Sequence, residues 1–171
     1  MADEQTTPTK QLILQKIYVK DLSFESPKAP DVFRTETDEQ TQTQLNMRSG
    51  HTDIGGDNVE VTLTMTAEAK LNEDTLFLVE ITQAGVFLMQ GYTAEERQAL
   101  IGSYCPATLY PYAREAIADL STRGGFPPLL MQPINFDALY AQALREREQQ
   151  QEQAQAAPAA PQPLIDPGEA H

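Results

Sequence analysis

Tryptophan is absent from this 171-residue chain, cysteine occurs once, at Cys105, and histidine twice, at His51 and His171. A single cysteine excludes an internal disulfide and a cysteine-rich zinc centre. Basic residues are also scarce: 12 Lys and Arg stand against 25 Asp and Glu, a formal charge of −13. So acidic a chain repels nucleic acid and anionic membrane surfaces, which both need neutralising cations. It attracts basic or extended polypeptide, and the same charge keeps an adhesive protein in solution. No run approaches the roughly 20 apolar residues of a membrane span. The opening MADEQTTPTKQ has neither the basic start nor the apolar core of a signal peptide. A cytoplasmic protein without direct membrane insertion is the expectation.

The length suits one domain with a real core. Residues 1–10 are polar and expected to be disordered. LILQKIYVKDLSF (12–24) is rich in strand formers, and strict alternation puts Ile17, Val19, Asp21, Ser23 and Glu25 on one face. Tyr18, Lys20, Leu22 and Phe24 then share the other. Pro27 and Pro30 end that strand. TETDEQTQTQLNMR (35–48) reads as a polar-faced strand and SGHTDIGGDN as a turn cluster. In NVEVTLTMTAEAKL (58–71) every odd position from Val59 to Leu71 is apolar and the even ones are polar, a strand with one buried face. Asn72 to Asp74 turn the chain into TLFLVEITQAGVFLM, so the two strands form a hairpin.

The period then changes. Thr93 suits an N-cap, with Glu95 and Glu96 in the first helical turn. Leu109, Tyr112, Ala113, Ala116, Ile117 and Leu120 make a helical stripe. Pro106 and Pro111 should kink its first part, and Gly124 should end it. A proline-rich connector follows, and Asn135 caps a second helix carrying Phe136, Leu139, Tyr140, Ala143 and Leu144 on one side. From about Arg145 the Gln/Ala/Pro-rich tail shows no apolar period and is expected to be disordered. Strands followed by helices give an α+β class: a four-stranded antiparallel sheet with two helices packed on one side, spanning residues 11–144. Tyr104, Tyr110 and Pro111 fall outside the helical stripe, which favours self-association.

Catalytic chemistry finds no constellation. His51, Asp53 and Asp57 in GHTDIGGDN match no metal-loop spacing, and turn chemistry accounts for each of them. Gly55-Gly56 is not followed by the Lys-Ser/Thr of a phosphate loop. Cys105 before a proline reads as a small buried hydrophobe, and no metal or cofactor is implied. Binding surfaces remain. Glu60, Glu68, Glu80, Asp21 and Glu25 can form an acidic patch on the wet face of the sheet, with Leu78 as its apolar point. Phe24, Phe33, Tyr104, Tyr110, Phe126, Leu129 and Leu130 lie beside rigid extended segments able to wall a groove. Core packing and an ordinary solvated sheet face are the competing explanations.

IYVKDLSFESPKAPDVF (17–33), TLFLVEITQAGVF (75–87) and above all YCPATLYPYAREAIADLSTRGGFPPLLMQPINFDALY (104–140) closely resemble SecB, the bacterial protein-export chaperone family. The resemblance implies a homotetramer, a dimer of dimers, that keeps precursor proteins unfolded without ATP and delivers them to the SecA motor. It implies a SecA contact at Asp21, Glu25, Leu78 and Glu80. It implies an interface and assembly-sensitive strand at Phe77, Val79, Ile81 and Gln83, and a helical interface to which Tyr112, Ala113, Ala116 and Ile117 belong. The aromatic and leucine set just given becomes the groove for unfolded polypeptide. A general or toxin–antitoxin-linked holdase, not dedicated to export, is the alternative, and a small-ligand protein using the same groove is a third.

Overall fold

The computed structural model describes residues 9–34 and 41–156; the expected disorder of 1–8 and of the tail beyond 156, and the start of the polar strand at 35–40, lie outside them. Four strands, β1 (Gln11–Glu25), β2 (Gln42–Gly55), β3 (Asn58–Leu71) and β4 (Asp74–Gln90), form one antiparallel sheet in the order β1-β4-β3-β2. The described residues through Tyr140 form one compact unit, and those from Ala141 to Ala156 belong to a second.

The alternation in β3 does what its pattern dictates. Val59, Val61, Leu63, Met65, Ala67 and Ala69 are all buried on one side. They meet Phe77, Val79, Ile81, Phe87 and Met89 of β4, and the helical layer covers both strands. SGHTDIG is not a loop but the second half of β2; only Gly56 and Asp57 make the turn, at φ 60° and 61°. Two successive left-handed residues match the twist of a two-residue hairpin. The Asp53 and Asp57 carboxylates face Arg97, at 3.0 and 3.9 Å.

In β1 strict alternation fails. Register shifts between Leu14 and Lys16 and between Val19 and Asp21 leave Gln15 and Lys20 as bulged residues. Each bulge resets the side-chain phase by one residue. Leu12, Leu14, Ile17, Val19, Leu22 and Phe24 therefore all share the helix-covered side of the sheet, although their parity changes twice. Asp21, Ser23 and Glu25 take the opposite side with Tyr18, so the expected grouping of Ile17 and Val19 with Asp21 is overturned.

Thr93 opens α1 (Ala94–Ala99) with a reciprocal capping box: its hydroxyl accepts from the Glu96 N–H while the Glu96 carboxylate accepts from the Thr93 N–H. A π-helical turn, Leu100–Tyr104, joins α1 to α2 (Cys105–Arg123). The Cys105 N–H reaches back to the Leu100 carbonyl, and the wider turn falls just before Pro106, which has no N–H to give. Pro111 sits inside α2 without ending it. The buried stripe is Cys105, Leu109, Tyr110, Ala113, Ile117 and Ser121. Tyr110 replaces Tyr112 in it, because only Tyr110 reaches the Phe136 ring, 5.6 Å away, and donates its hydroxyl to the Gln132 carbonyl.

The helix ends on two glycines with separate tasks. Phe126 N–H bonds the Ser121 carbonyl and Gly125 N–H that of Thr122, with Gly125 at φ 89°. That is a Schellman stop, and the left-handed position wants glycine. Gly124 has an ordinary helical φ of −71°. It is glycine for another reason: a Cβ there would stand 2.6 and 2.9 Å from Cε1 and Cε2 of Phe24. Asn135 caps α3 (Phe136–Ala156) through its Oδ1, which accepts from the Ala138 N–H at 3.0 Å. The helix runs to Ala156, well past Arg145, where disorder was expected. Its Glu, Gln, Ala and Arg residues are strong helix formers and need no apolar face to form one.

Candidate polypeptide-binding surfaces

Across the open side of the sheet, register sets the neighbours. Glu25 pairs with Leu78 and Ser23 with Glu80, while Leu78 faces Glu68 and Glu80 faces Thr66 on β3. Asp21 is one pair further along, opposite Thr82. The four residues Asp21, Glu25, Leu78 and Glu80 thus lie in adjacent rows of one face. This depends on the Lys20 bulge, which carries Asp21 over to the side of Glu80. Thr66 donates to the Glu80 carboxylate at 2.8 Å and Thr75 to Glu68 at 2.8 Å. Those bonds fix both carboxylates in place. Further along, Glu60 accepts from Lys20 at 2.8 Å and from the Tyr18 hydroxyl. The Lys20 ammonium first, then Tyr18, holds the Glu60 carboxyl below its usual range, and Glu60 in turn pushes the Tyr18 phenol up. Lys20 therefore neutralises Glu60, Lys70 pairs with Glu68 at 3.2 Å, and the acidic character concentrates at Asp21, Glu25 and Glu80.

At the other side of the molecule, four phenylalanines from four segments gather beneath the end of α2. The Phe24 and Phe77 rings stack at 5.7 Å, and Phe126 packs against Phe77 at 4.9 Å and Phe33 at 5.2 Å. Phe33 comes from a short 3-10 turn, Asp31–Phe33, and lies half in solvent. The connector crosses here in extended form. Pro127, Pro128 and Pro133 need no N–H partner, while Leu129 N–H is taken by the Ser121 hydroxyl at 2.9 Å. Met131 is buried, Leu129 half-buried, and Leu130 is 77% exposed. The result is an apolar ledge with an exposed leucine and a half-exposed phenylalanine.

The seven groove residues inferred from sequence do not form one set. Phe24, Phe33, Phe126, Leu129 and Leu130 belong to this ledge. Tyr110 is buried in the core. Tyr104 lies at the far end of α2, about 28 Å away at 1.5 Å per residue. Phe77, expected at an interface, is the ring on which the cluster stacks. Val79, Ile81, Gln83, Ala113 and Ile117 are buried within the same chain, because α2 lies directly on β4. Their side chains belong to this chain's own core. Of the helical interface set, Tyr112 is half-exposed and Ala116 partly so. Burial pushes the Cys105 thiol up to about 12, so it is no nucleophile at neutral pH. Among the described residues no group of His, Cys, Asp and Glu converges as metal ligands, and no helix is long and apolar enough to cross a membrane.

Residues 4–147 match the family model of the preprotein translocase subunit SecB. The protein-export protein SecB of Nitrosococcus oceani is 50% identical over 137 residues, 80% of this chain and 84% of that one. Its counterpart in Methylococcus capsulatus is 46% identical over 145 residues, 85% of this chain and 92% of that one. In fold, the chain is similar to a SecB-like chaperone of Mycobacterium tuberculosis solved with a ChAD peptide from the HigA1 antitoxin. That similarity has a TM-score of 0.62 at 18% identity and covers 72% of this chain and 90% of the other.

Proposed function

Since this chain belongs to the SecB family, we propose that it is an ATP-independent chaperone that holds precursor proteins unfolded in the cytoplasm and passes them to SecA for export. The register across β1 and β4 carries this reading. It gathers Asp21, Glu25, Leu78 and Glu80 on one accessible sheet face, a surface of carboxylates around one leucine suited to a basic partner. We assign SecA to that face and unfolded client to the phenylalanine ledge.

An unfolded chain offers apolar side chains and unpaired backbone, and an extended apolar ledge takes both with little sequence preference. One segment on one ledge binds weakly. A dimer of dimers multiplies the ledges, so a long client gains through effective concentration. Half-exposed Leu14, Val19 and Leu22 on β1 and Tyr112 on α2 are the apolar surface such an assembly would cover. Release by competition with SecA, or by a change of geometry on its binding, needs no hydrolysis.

The test separates the two surfaces. Glu80→Ala and Asp21→Ala should weaken SecA binding about tenfold or more, as for loss of charged partners at an interface, with no change in mass by light scattering. Equal loss of SecA binding and of the oligomer would make these residues structural. Retarded refolding of a precursor without any SecA complex would favour the general holdase.

A further inference from the structure

Where the π-helical turn passes the start of α3, a cavity of about 460 Å³ is bounded by three tyrosines, Tyr92, Tyr104 and Tyr140, and two carboxylates, Glu96 and Asp137. Its lining contains no Lys, Arg or His. Tyr92 turns its π face to a cation, and the remaining polar lining is Ser103, two further tyrosines and the two carboxylates, groups that favour positive charge. An anion or a plain apolar group would leave those carboxylates facing it without compensation. Asp137 is oriented by the Ser103 hydroxyl, which donates to it. Gly102 is what lets Tyr140 close one wall, since any Cβ there would run into the ring.

The chain already places a cation at the rim. Lys10 Nζ stands 5.6 Å from the centroid of Tyr92 and pairs with the Glu96 carboxylate. Its segment is seated by Gly91, at φ 76°, where a Cβ would stand 3.2 Å from the Thr9 carbonyl oxygen. Lys10 and Glu96 side chains are 47% and 39% exposed, so the pair is weak and exchangeable. Lys10 thus holds Tyr92 and Glu96, the rim groups that an incoming cation would have to take over.

We propose that this cavity is a subsite for a lysine or arginine side chain of bound polypeptide, and that Lys10 is an internal competitor at its rim which the incoming cation displaces. The proposal rests on the chain being a binder of extended polypeptide, and it sorts clients by where their basic residues fall.

The probe is a pair of fluorescent, unstructured peptides with an apolar segment for the ledge, identical except for one lysine or norleucine about nine residues from that segment, the number that spans about 28 Å in extended form, titrated onto the full chain by anisotropy. The lysine peptide should bind roughly three- to tenfold more tightly, the range of a partly desolvated cation–aromatic and ionic contact. Glu96→Gln should abolish that preference without loosening the norleucine peptide. Glutamine keeps the capping-box acceptor, so α1 retains its start. Lys10→Met should tighten the lysine peptide several-fold and leave the other unchanged. Three results overturn the proposal: equal binding of the two peptides by the wild type, a Lys10→Met chain that binds lysine more weakly, or an equal effect of Glu115→Gln on exposed α2, which would reduce the preference to the general field. Failure of the norleucine peptide to bind at all would sink the client-binding reading itself, and this proposal with it.

Discussion

Adding one methyl group at Gly124 should destabilise the protein, and replacing Phe24 should reverse the sign. Gly124 has helical φ and ψ, so alanine meets no backbone strain there. By restricting the unfolded chain, Gly→Ala at such a site would stabilise by about 0.4–1 kcal/mol. Against that, the new Cβ lies 2.6 and 2.9 Å from ring atoms of Phe24, where carbon contacts need about 3.5–4.0 Å. The ring must move by about an ångström, and it cannot move freely because it stacks on Phe77 at 5.7 Å and leans on Phe126 at 6.5 Å. Overpacking of this kind costs about 1–3 kcal/mol, and the loosened ring pairs add about 0.5–1.5 kcal/mol. Gly124→Ala should therefore lose about 0.5–4 kcal/mol net, centred on about 2. In a Phe24→Leu background the obstructing ring atoms are gone, and the same substitution should become neutral or mildly stabilising. Urea denaturation of the four proteins, followed by circular dichroism, closes the cycle. A coupling energy near zero would refute the argument, since it would mean that the ring never depended on the missing Cβ. Client binding should weaken in Gly124→Ala, where the ring is displaced, and in both Phe24→Leu proteins, where it is gone, because that ring belongs to the ledge.

Other consequences are simpler to measure. Glu60→Gln should lower stability at neutral pH by about 0.5–1 kcal/mol, a small effect because Lys20 is half-exposed. The carboxyl is held below its usual range in the folded state, so its contribution is present above the unfolded pKa and lost as pH falls through the folded one. The difference between wild type and Glu60→Gln should accordingly vanish on acidification, and a difference that grows would contradict the ion pair. Cys105, with its thiol pushed up to about 12 by burial, should resist thiol reagents at pH 8 and react freely in urea; rapid labelling of the native protein would disprove that burial. Leu130→Ser should cut precursor affinity several-fold while moving the melting midpoint by less than about 2 °C, since surface substitutions usually stay within about 0.5 kcal/mol.

How far the sequence could be read varies from element to element. β3 was transparent because one buried face forces strict alternation over its whole length. In β1 the grouping of faces could not follow from a period of two, since bulges at Gln15 and Lys20 shift the phase twice. Ile13 apart, its aliphatic residues and Phe24 run Leu12, Leu14, Ile17, Val19, Leu22, Phe24, at intervals of two and three in turn, and that interval was the available sign. In α2, Tyr110 and Tyr112 are equal candidates for the stripe by composition; the choice falls to Phe136, a contact from another element. The ledge was half legible. Glycine and proline marked the connector, but nothing local showed that Phe24 and Phe77 would meet Phe126 there. Tyr92, Glu96, Asp137 and Tyr140 carried no joint signal because their meeting depends on the entry angle of α3.

The same two bulges have a consequence for coexistence with sticky clients. β1 is an edge strand, and a chaperone of the kind proposed above would carry that edge among chains in their most adhesive state. A flat edge of fifteen residues would template a client strand along its whole length and then the next one, as a fibril end does. Gln15 and Lys20 break the repeat of donors and acceptors into stretches too short for a long added strand to follow in register. An edge interrupted in this way offers no long template to a stray strand, so the chaperone proposed above would not seed the aggregation of its own clients.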